Sequence, residues 1–515
     1  MDAAPSVLPD AIDPQAFSDA APVFTHDQIL RVVVGILLCI LLAAIDQTVV
    51  VPAVPSIAAD LNGFSHLSWI VTAYLLTSTV ATPIYGKLSD IYGRRALLLP
   101  AIVLFVVASM LCGFAQNLMQ LIIARALQGL GGAGLMAMAQ ASIADVVSPR
   151  ERGRYQGYMA GTWGVASVAG PILGGWMTDY LSWRWIFWIN LPIGIAAYLL
   201  SSSALKMLVT NKRPARIDYV GSALLAVFTT ATLLVMSWGG SEYAWTSPTI
   251  LGLAAGAMML LVLLVLQERS NGNPLLPPRL FANGVFSRGV LIAALNSGAM
   301  FGATFLLPLF FQLVRGADAS LSGTLIVPYL AANCVGAFTG GQIARRLGRV
   351  KILIQLGVAA TIIGFGLLAT IDATTPPLLS VAYMLVVGLG IGVVMPCTLV
   401  MVQNAADRRD VGSATGAFLF LRSMGGAVGS TLTGVMLAGQ FAAGVASGGI
   451  TVPIDLGSLR VVPGVATTLD AATQVAAHAA LSGAFHAAFA ICAVLVALAL
   501  ICTWRLVDQP LRTSG

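Results

Sequence analysis

The chain has 515 residues, of which 58% are hydrophobic and 9% charged, far from the roughly 45–50% and 25% typical of soluble proteins. So few charges cannot clothe a water-soluble surface, which excludes a multidomain soluble enzyme and points to a polytopic membrane protein. The net charge of +6 comes from short basic clusters between apolar runs, the pattern of cytoplasmic membrane loops rather than of a nucleic-acid-binding face.

Residues 1–28 hold five Asp and neither Lys nor Arg; lacking a basic n-region, they read as a disordered cytosolic tail and not a signal peptide. Apolar runs of about 20 residues, enough to cross hydrocarbon as a helix, then follow one another. They fall at 29–52, 67–85, 96–115, 118–142, 155–177, 184–205, 217–238, 248–266, 286–311, 320–343, 351–371, 377–401, 412–440 and 481–504. Loops after the even-numbered of these fourteen spans hold nineteen Lys and Arg, whereas loops after odd-numbered spans hold Arg184, Arg315 and Arg460. That imbalance assigns the even loops and both termini to the cytoplasm. The six cysteines are scattered singly in apolar runs without CxxC spacing, so neither disulfides nor a metal site is expected.

An internal repeat organises the spans. "GLGGAGLM" at 129–136 returns as "GLGIGVVM" at 388–395, an offset of 259 that also carries Gly153, Gly157 and Gly170 to Gly412, Gly416 and Gly429. "GKLSDIYGRR" at 86–95 has a weaker echo in "GQIARRLGRV" at 341–350. The expected architecture is all-α and membrane-integral: two parallel six-helix halves around an inserted helix pair. Its divisions are a tail over 1–28, a first bundle over 29–205 and the inserted pair over 206–285. A second bundle over 286–507, with an outer loop at 441–480, precedes a cytosolic tail at 508–515.

The repeat separates scaffold from candidate chemistry. Asp46, within "LLAAIDQTVVVPAVP" (41–55), is the sole charge between Arg31 and Asp60, and the repeat offset carries it to Phe305; likewise Arg125 falls on Met384. The only acid deep in any span, and its natural partner, thus occur in one half alone. Both are expected roughly 10 Å below the outer surface at 1.5 Å per residue. A lone charge at mid-helix costs about 2.5–3.5 kcal/mol to insert, so the pair is either a proton-binding site or a structural clasp. Arg125 cannot itself release a proton. Arg422 is a third deep charge, about 15 Å into span 13; it either contacts substrate or anchors neighbouring carbonyls. Span 5 carries Gly157, Gly161, Gly164, Pro171 and Gly175 at 3-4 spacing, read as one stripe against which another helix slides.

These residues resemble the major facilitator superfamily, in its fourteen-helix drug:proton antiporter branch. "GKLSDIYGRR" is similar to the superfamily's loop between helices 2 and 3, "RALQGLGGAG" (125–134) to its helix 4 motif and "GVASVAGPILGG" (164–175) to the helix 5 motif of antiporters. "AAIDQTVVVPAVPSI", "WRWIFWINLPIG", "LPLFFQLVRG" and "QNAADRRDVGSATGAFLFLRSMGGAVG" resemble the fourteen-helix branch, with Pro52 standing where the branch more often has Asn.

The resemblance implies alternating access and export of lipophilic, cationic small molecules in exchange for protons, across a bacterial-type inner membrane. Asp46 and Arg125 would couple protons. Gln47, Tyr74, Gln128, Trp163, Asn296, Phe301, Phe305, Gln312, Asn333 and Arg422 are the candidate substrate contacts. Gly86, Asp90, Gly93, Arg94 and Arg95 would form a cytoplasmic latch, and Gly164, Gly170, Pro171, Gly174 and Gly175 the antiporter-motif helix. Implied partners are substrate, protons and membrane lipid. The expected state is a monomer, with an accessory envelope protein as a candidate partner and no cofactor, metal or nucleic acid. The rival within transport is a dedicated exporter of one metabolite, lipid or siderophore. No HExxH, DxD, GxSxG or P-loop set supports an enzyme, and no filter-like loop supports a channel.

Overall fold

The computed structural model describes residues 26–61, 69–204, 206, 218–240, 242–317, 319–407, 410–447 and 471–511. Among them the regular structure is helical, with one isolated bridge between Gly239 and Tyr243. The first half comprises α1 (His26–Asp60), α2 (Trp69–Tyr92), α3 (Arg94–Gly113), α4 (Leu118–Val146) and α5 (Pro149–Tyr180), then a crossing split into α6 (Trp185–Trp188) and α7 (Asn190–Ala204). The inserted pair is α8 (Tyr219–Trp238) and α9 (Pro248–Ser270), followed by the short α10 (Pro278–Ala282). The second half opens with α11 (Gly284–Leu313) and a crossing split into α12 (Ala319–Leu325) and α13 (Val327–Leu347). It ends with α14 (Lys351–Leu368), α15 (Pro377–Ala405), α16 (Val411–Ser447) and α17 (Ala471–Trp504).

Twelve of these crossings are long and apolar enough to span a membrane by composition alone. The other two, α2 and α5, have 24 and 32 residues and complete the fourteen. In hydrocarbon every backbone group must be satisfied within its own segment, which is why nearly all the apolar runs became long helices. Polar caps satisfy free N–H groups at their ends: Asn117 accepts from Gln120, Ser247 from Ile250 and Asn283 from Val285 and Phe286. The break before α13 coincides with Pro328 in the first turn, where proline's missing N–H is tolerated.

Two boundaries differ from expectation. The outer loop at 441–480 is shorter, because α16 continues to Ser447 and α17 already begins at Ala471; residues 448–470 lie outside the described residues. The expected cytosolic tail at 508–515 is docked through residue 511. The Leu511 N–H donates to Gly348 O at 2.9 Å, Arg349 meets Asp508 at 3.3 Å and Leu511 is buried. Residues 1–25 of the expected amino-terminal tail also lie outside the described residues.

The halves have separate apolar cores and meet along two seams, α2 with α16 and α5 with α13. Both seams depend on glycine. A Cβ on Gly86 would stand 2.6 Å from Gly412 O and 3.0 Å from Gly416 Cα, and one on Gly153 would stand 2.5 Å from Gly341 O. Backbone therefore touches backbone across each seam, near the helix ends that carry the Arg-rich loops. The inserted pair packs on α2 and α16.

Candidate functional site

Asp46 lies in α1, which runs on to Asp60 rather than ending near residue 52. The acid is therefore some 14 residues, about 21 Å, from that helix's C-terminal end, further than the roughly 10 Å expected. It is fully buried, and Arg125 is 1% exposed. Arg125 Nη1 donates to Asp46 Oδ2 at 2.7 Å, while Gln128 Nε2 and Asn190 Nδ2 donate to Oδ1 at 2.7 and 2.8 Å. The guanidinium also donates to Gln128 Oε1 at 2.8 Å and to the Ile70 carbonyl at 3.1 Å. It lies 4.6 Å from the centre of the Tyr74 ring, a cation–π distance. Behind Asn190, Ser109 accepts its amide at 2.9 Å and donates to Phe187 O at 2.8 Å.

Both expected partners are thus in contact, and five elements hold them: α1, α2, α3, α4 and α7. Sequence reasoning missed Asn190, Ser109 and the Ile70 carbonyl. Asn190 was visible as the one amide in "WRWIFWINLPIG", although nothing in its spacing aims it at Asp46. Gln128 and Tyr74, expected as substrate contacts, are 0% and 1% exposed and belong to this network. In this conformation Asp46 has no surface open to water, so proton exchange at its carboxyl requires the surrounding helices to part.

At the α2–α16 seam Asp90 does the joining. Its carboxylate accepts the Gly412 and Ser413 N–H groups at 2.9 and 2.7 Å and the Ser413 hydroxyl at 2.8 Å. A side chain of the first half therefore satisfies the free donors at the start of a second-half helix, where negative charge is favoured. Arg94 bonds Asp90 at 2.9 Å and Asp145 at 2.7 Å, so it stays within its own half and steadies the acid instead of crossing the seam. Arg95 Nε is buried without a partner. Gly93 has φ 86°, a left-handed conformation that glycine adopts without penalty and that turns α2 into α3. Asp145, Gly412 and Ser413 were not among the candidates, although the repeat had already paired Gly412 with Gly153.

The other seam inverts the polarity. Arg150 Nε donates to Arg345 O at 3.0 Å, and Arg345 meets Glu151 at 3.3 Å. The expected stripe on span 5 meets a neighbouring helix at two of its glycines. Gly157 and Gly164 face α13, at Phe338 and Cys334; Gly170 and Gly174 face α1, at Thr48 and Val49; Gly161 and Gly175 have nothing within 4 Å. A helix turns 100° per residue, so Gly170 lies on a different side from Gly164. Pro171 sits inside α5 between them.

The remaining candidates divide. Phe301 and Phe305 are exposed at 44% and 42%, and Gln47, Trp163, Asn333 and Arg422 are half-buried. Trp163 packs against both apolar clusters of the first half. Gln312 donates to Ser322 at 2.8 Å. Asn296 is fully buried with neither amide atom partnered, and Asn333 Nδ2 is likewise unpartnered. Arg422 makes no hydrogen bond or ion pair among the described residues. Outside the spans, Asp60 accepts from Trp183 Nε1 at 3.0 Å and Arg184 at 2.9 Å. The indole and then the guanidinium hold its carboxyl below the usual range.

A family model for the major facilitator superfamily matches residues 36–430. An uncharacterized MFS-type transporter of Mycobacterium tuberculosis is 41% identical over 418 residues, 80% of this chain and 61% of that protein. The chain thus spans less than two thirds of that relative's length. The multidrug transporter protein MdtP of Bacillus subtilis is 38% identical over 405 residues, 79% of this chain and 74% of its own. Among solved structures, the proton:xylose symporter XylE superposes with a TM-score of 0.63 at 14% identity, over 94% of this chain and 97% of that one. The human organic anion transporter MFSD10 gives 0.62 at 16% identity, over 92% and 99%; both likenesses bear on the fold alone.

Proposed function

The chain belongs to the major facilitator superfamily, and from that premise we propose that this transporter is a drug:proton antiporter that exports lipophilic small molecules. The observation that carries the reading is the mid-membrane network around Asp46. Among the described residues it is the one acid deep in a span, and its cation has other acceptors ready. If Asp46 takes a proton, Arg125 keeps the Ile70 carbonyl, Gln128 Oε1 and the Tyr74 ring. The guanidinium then stays satisfied when its ion pair is lost, which a purely structural clasp has no need of. An acid beside a fixed positive charge and within a dry bundle gains or loses its proton as their separation changes.

The cycle follows from the seams. With the Arg-rich end assigned to the cytoplasm, Asp90 and the paired glycines close the inner end. Protonation of Asp46 from outside weakens its hold on Arg125, Gln128 and Asn190, and the first half relaxes toward the state that binds cargo inside. Entry of one proton down 100 mV supplies about 2.3 kcal/mol before any pH gradient is added. The location that fits is a bacterial-type plasma membrane, with the chain working as a monomer.

The charge of the cargo is constrained by what is left unpaired. Asp46 is filled by three donors, so a cation reaches it only by displacing Arg125, whereas Arg422 stands free among the described residues. Cationic, neutral and anionic dyes tested in inverted vesicles separate the cases. Asp46→Asn is expected to abolish proton-driven accumulation of every dye that the wild type transports. Loss confined to cations would mean that Asp46 meets the cargo's charge, and full retention would overturn the coupling role.

A further inference from the structure

The base of the inserted pair holds two acids that the transport cycle does not use. Asp218 caps α8: its Oδ1 accepts the Gly221 N–H at 2.8 Å and lies 3.4 Å from Gln267 Nε2. Glu268, near the end of α9, accepts the Leu276 N–H on Oε2 at 2.9 Å. The other oxygen of each, Asp218 Oδ2 and Glu268 Oε1, is buried without a partner. The residues are only 8% and 5% exposed. Both orphan oxygens converge on Gly221, where a Cβ would strike Asp218 Oδ2 and come within 3.0 Å of Glu268 Oε1.

Two facing carboxylates cannot both stay ionised cheaply in such a place. Like charges brought together away from water repel far more strongly than in bulk solvent, and each orphan oxygen adds a desolvation cost. A single proton between them removes the repulsion and satisfies both oxygens, as in other carboxyl dyads. Among the described residues, the charged groups on the elements packed against the pair are Lys87 on α2, Arg269 on α9 and Arg422 on α16; near α16, Asp410 is engaged by Arg279 at 2.8 Å. None of these is bonded to either acid. With two carboxylates and no third His, Cys, Asp or Glu completing a metal-binding group among the described residues, the ligand this site suits is a proton.

We propose that Asp218 and Glu268 form a proton-binding pair, with one proton taken up from the Arg-rich side and shared between Oδ2 and Oε1, that fastens the start of α8 to the end of α9. The position matters because Leu225, Leu264 and Leu275 of this region pack with Phe420 and Met424 of α16 and with Ile84 of α2, two residues from Gly86 of the seam. Protonation at the base of the inserted pair thereby bears on the helices that close one end of the transporter. The inference concerns a binding equilibrium measured without transport, so it stands or falls apart from the exporter reading.

The test uses the purified full chain in nanodiscs, with the thermal midpoint followed from mildly acidic to mildly alkaline pH. The wild type is expected to lose several degrees as the shared proton leaves and two negative charges face each other. Asp218→Asn and Glu268→Gln, each of which keeps a donor between the two side chains, are expected to flatten that dependence. Infrared difference spectra should show a protonated carboxyl band in the wild type that both variants lose, and Lys87→Met should retain the band. A flat wild-type profile, the absence of that band, or a Lys87→Met variant that destabilises the protein as much as loss of an acid would overturn the proposal in favour of two ionised groups neutralised by the lysine.

Discussion

At Asp46 the decisive fact is saturation: three donors and no water contact. Asn190→Ala removes one donor from a buried carboxylate, and about 1–3 kcal/mol of stability is expected to go with it, read as a lower thermal midpoint. Asn190→Asp is expected to be worse, since it sets a second negative charge against Asp46. At the C-terminal end of α1 the bond network on Asp60 predicts a pH effect of known sign. Its carboxyl is held below the ordinary value, so the stabilisation is complete above that value and fades as pH falls through the lowered one. Arg184→Gln should shrink that acid-side loss, by less than about 1 kcal/mol because the pair is half exposed. The sequence made Asp46 and Arg125 legible because charge is rare in apolar runs. Asn190 and Ser109 were not, since single polar residues in a span are common and only the fold aims them.

Helices meet across the seams through glycines, and the internal repeat already singles out Gly153, Gly412 and Gly416 among them. Gly86 is set against the backbone of Gly412 and Gly416, which cannot step aside as a side chain tip would. Gly86→Ala is expected to overpack the seam by about 1–3 kcal/mol and so favour the opposite conformation by about fivefold or more. A reporter thiol from Ser423→Cys, in a background without native cysteines, should then label more slowly from outside. Asp90→Ala removes the cap on α16, with an expected cost of about 0.5–2 kcal/mol to the closed seam; unchanged labelling would dismiss the latch. On span 5 the 3-4 spacing grouped Gly157 and Gly164, which both face α13, with Gly161 and Gly175, which have nothing within 4 Å. Spacing reports which residues share a side of a helix, but not which neighbour each side meets. The extra length of α16 and α17 was hidden for a different reason: Gly and Ala blur the boundary between helix and loop.

Across the whole molecule, composition and repeat were enough to reach fourteen crossings and two related halves, because hydrocarbon leaves a chain few alternatives to helix. Which end of the molecule the seams shut was not legible, since the close backbone contacts of Gly86 with Gly412 and of Gly153 with Gly341 appear only in the fold. The charge balance of the centre, by contrast, was legible: Asp46 pairs with Arg125 and Arg422 remains. The account as a whole rests on Asp46 carrying a proton in step with cargo. The most direct measurement reconstitutes the purified chain in liposomes loaded with a pH-sensitive dye and imposes a cargo gradient. The wild type should move protons against cargo, and Asp46→Asn should still exchange cargo for cargo while moving no protons. Proton movement by that variant at the wild-type rate would contradict the account.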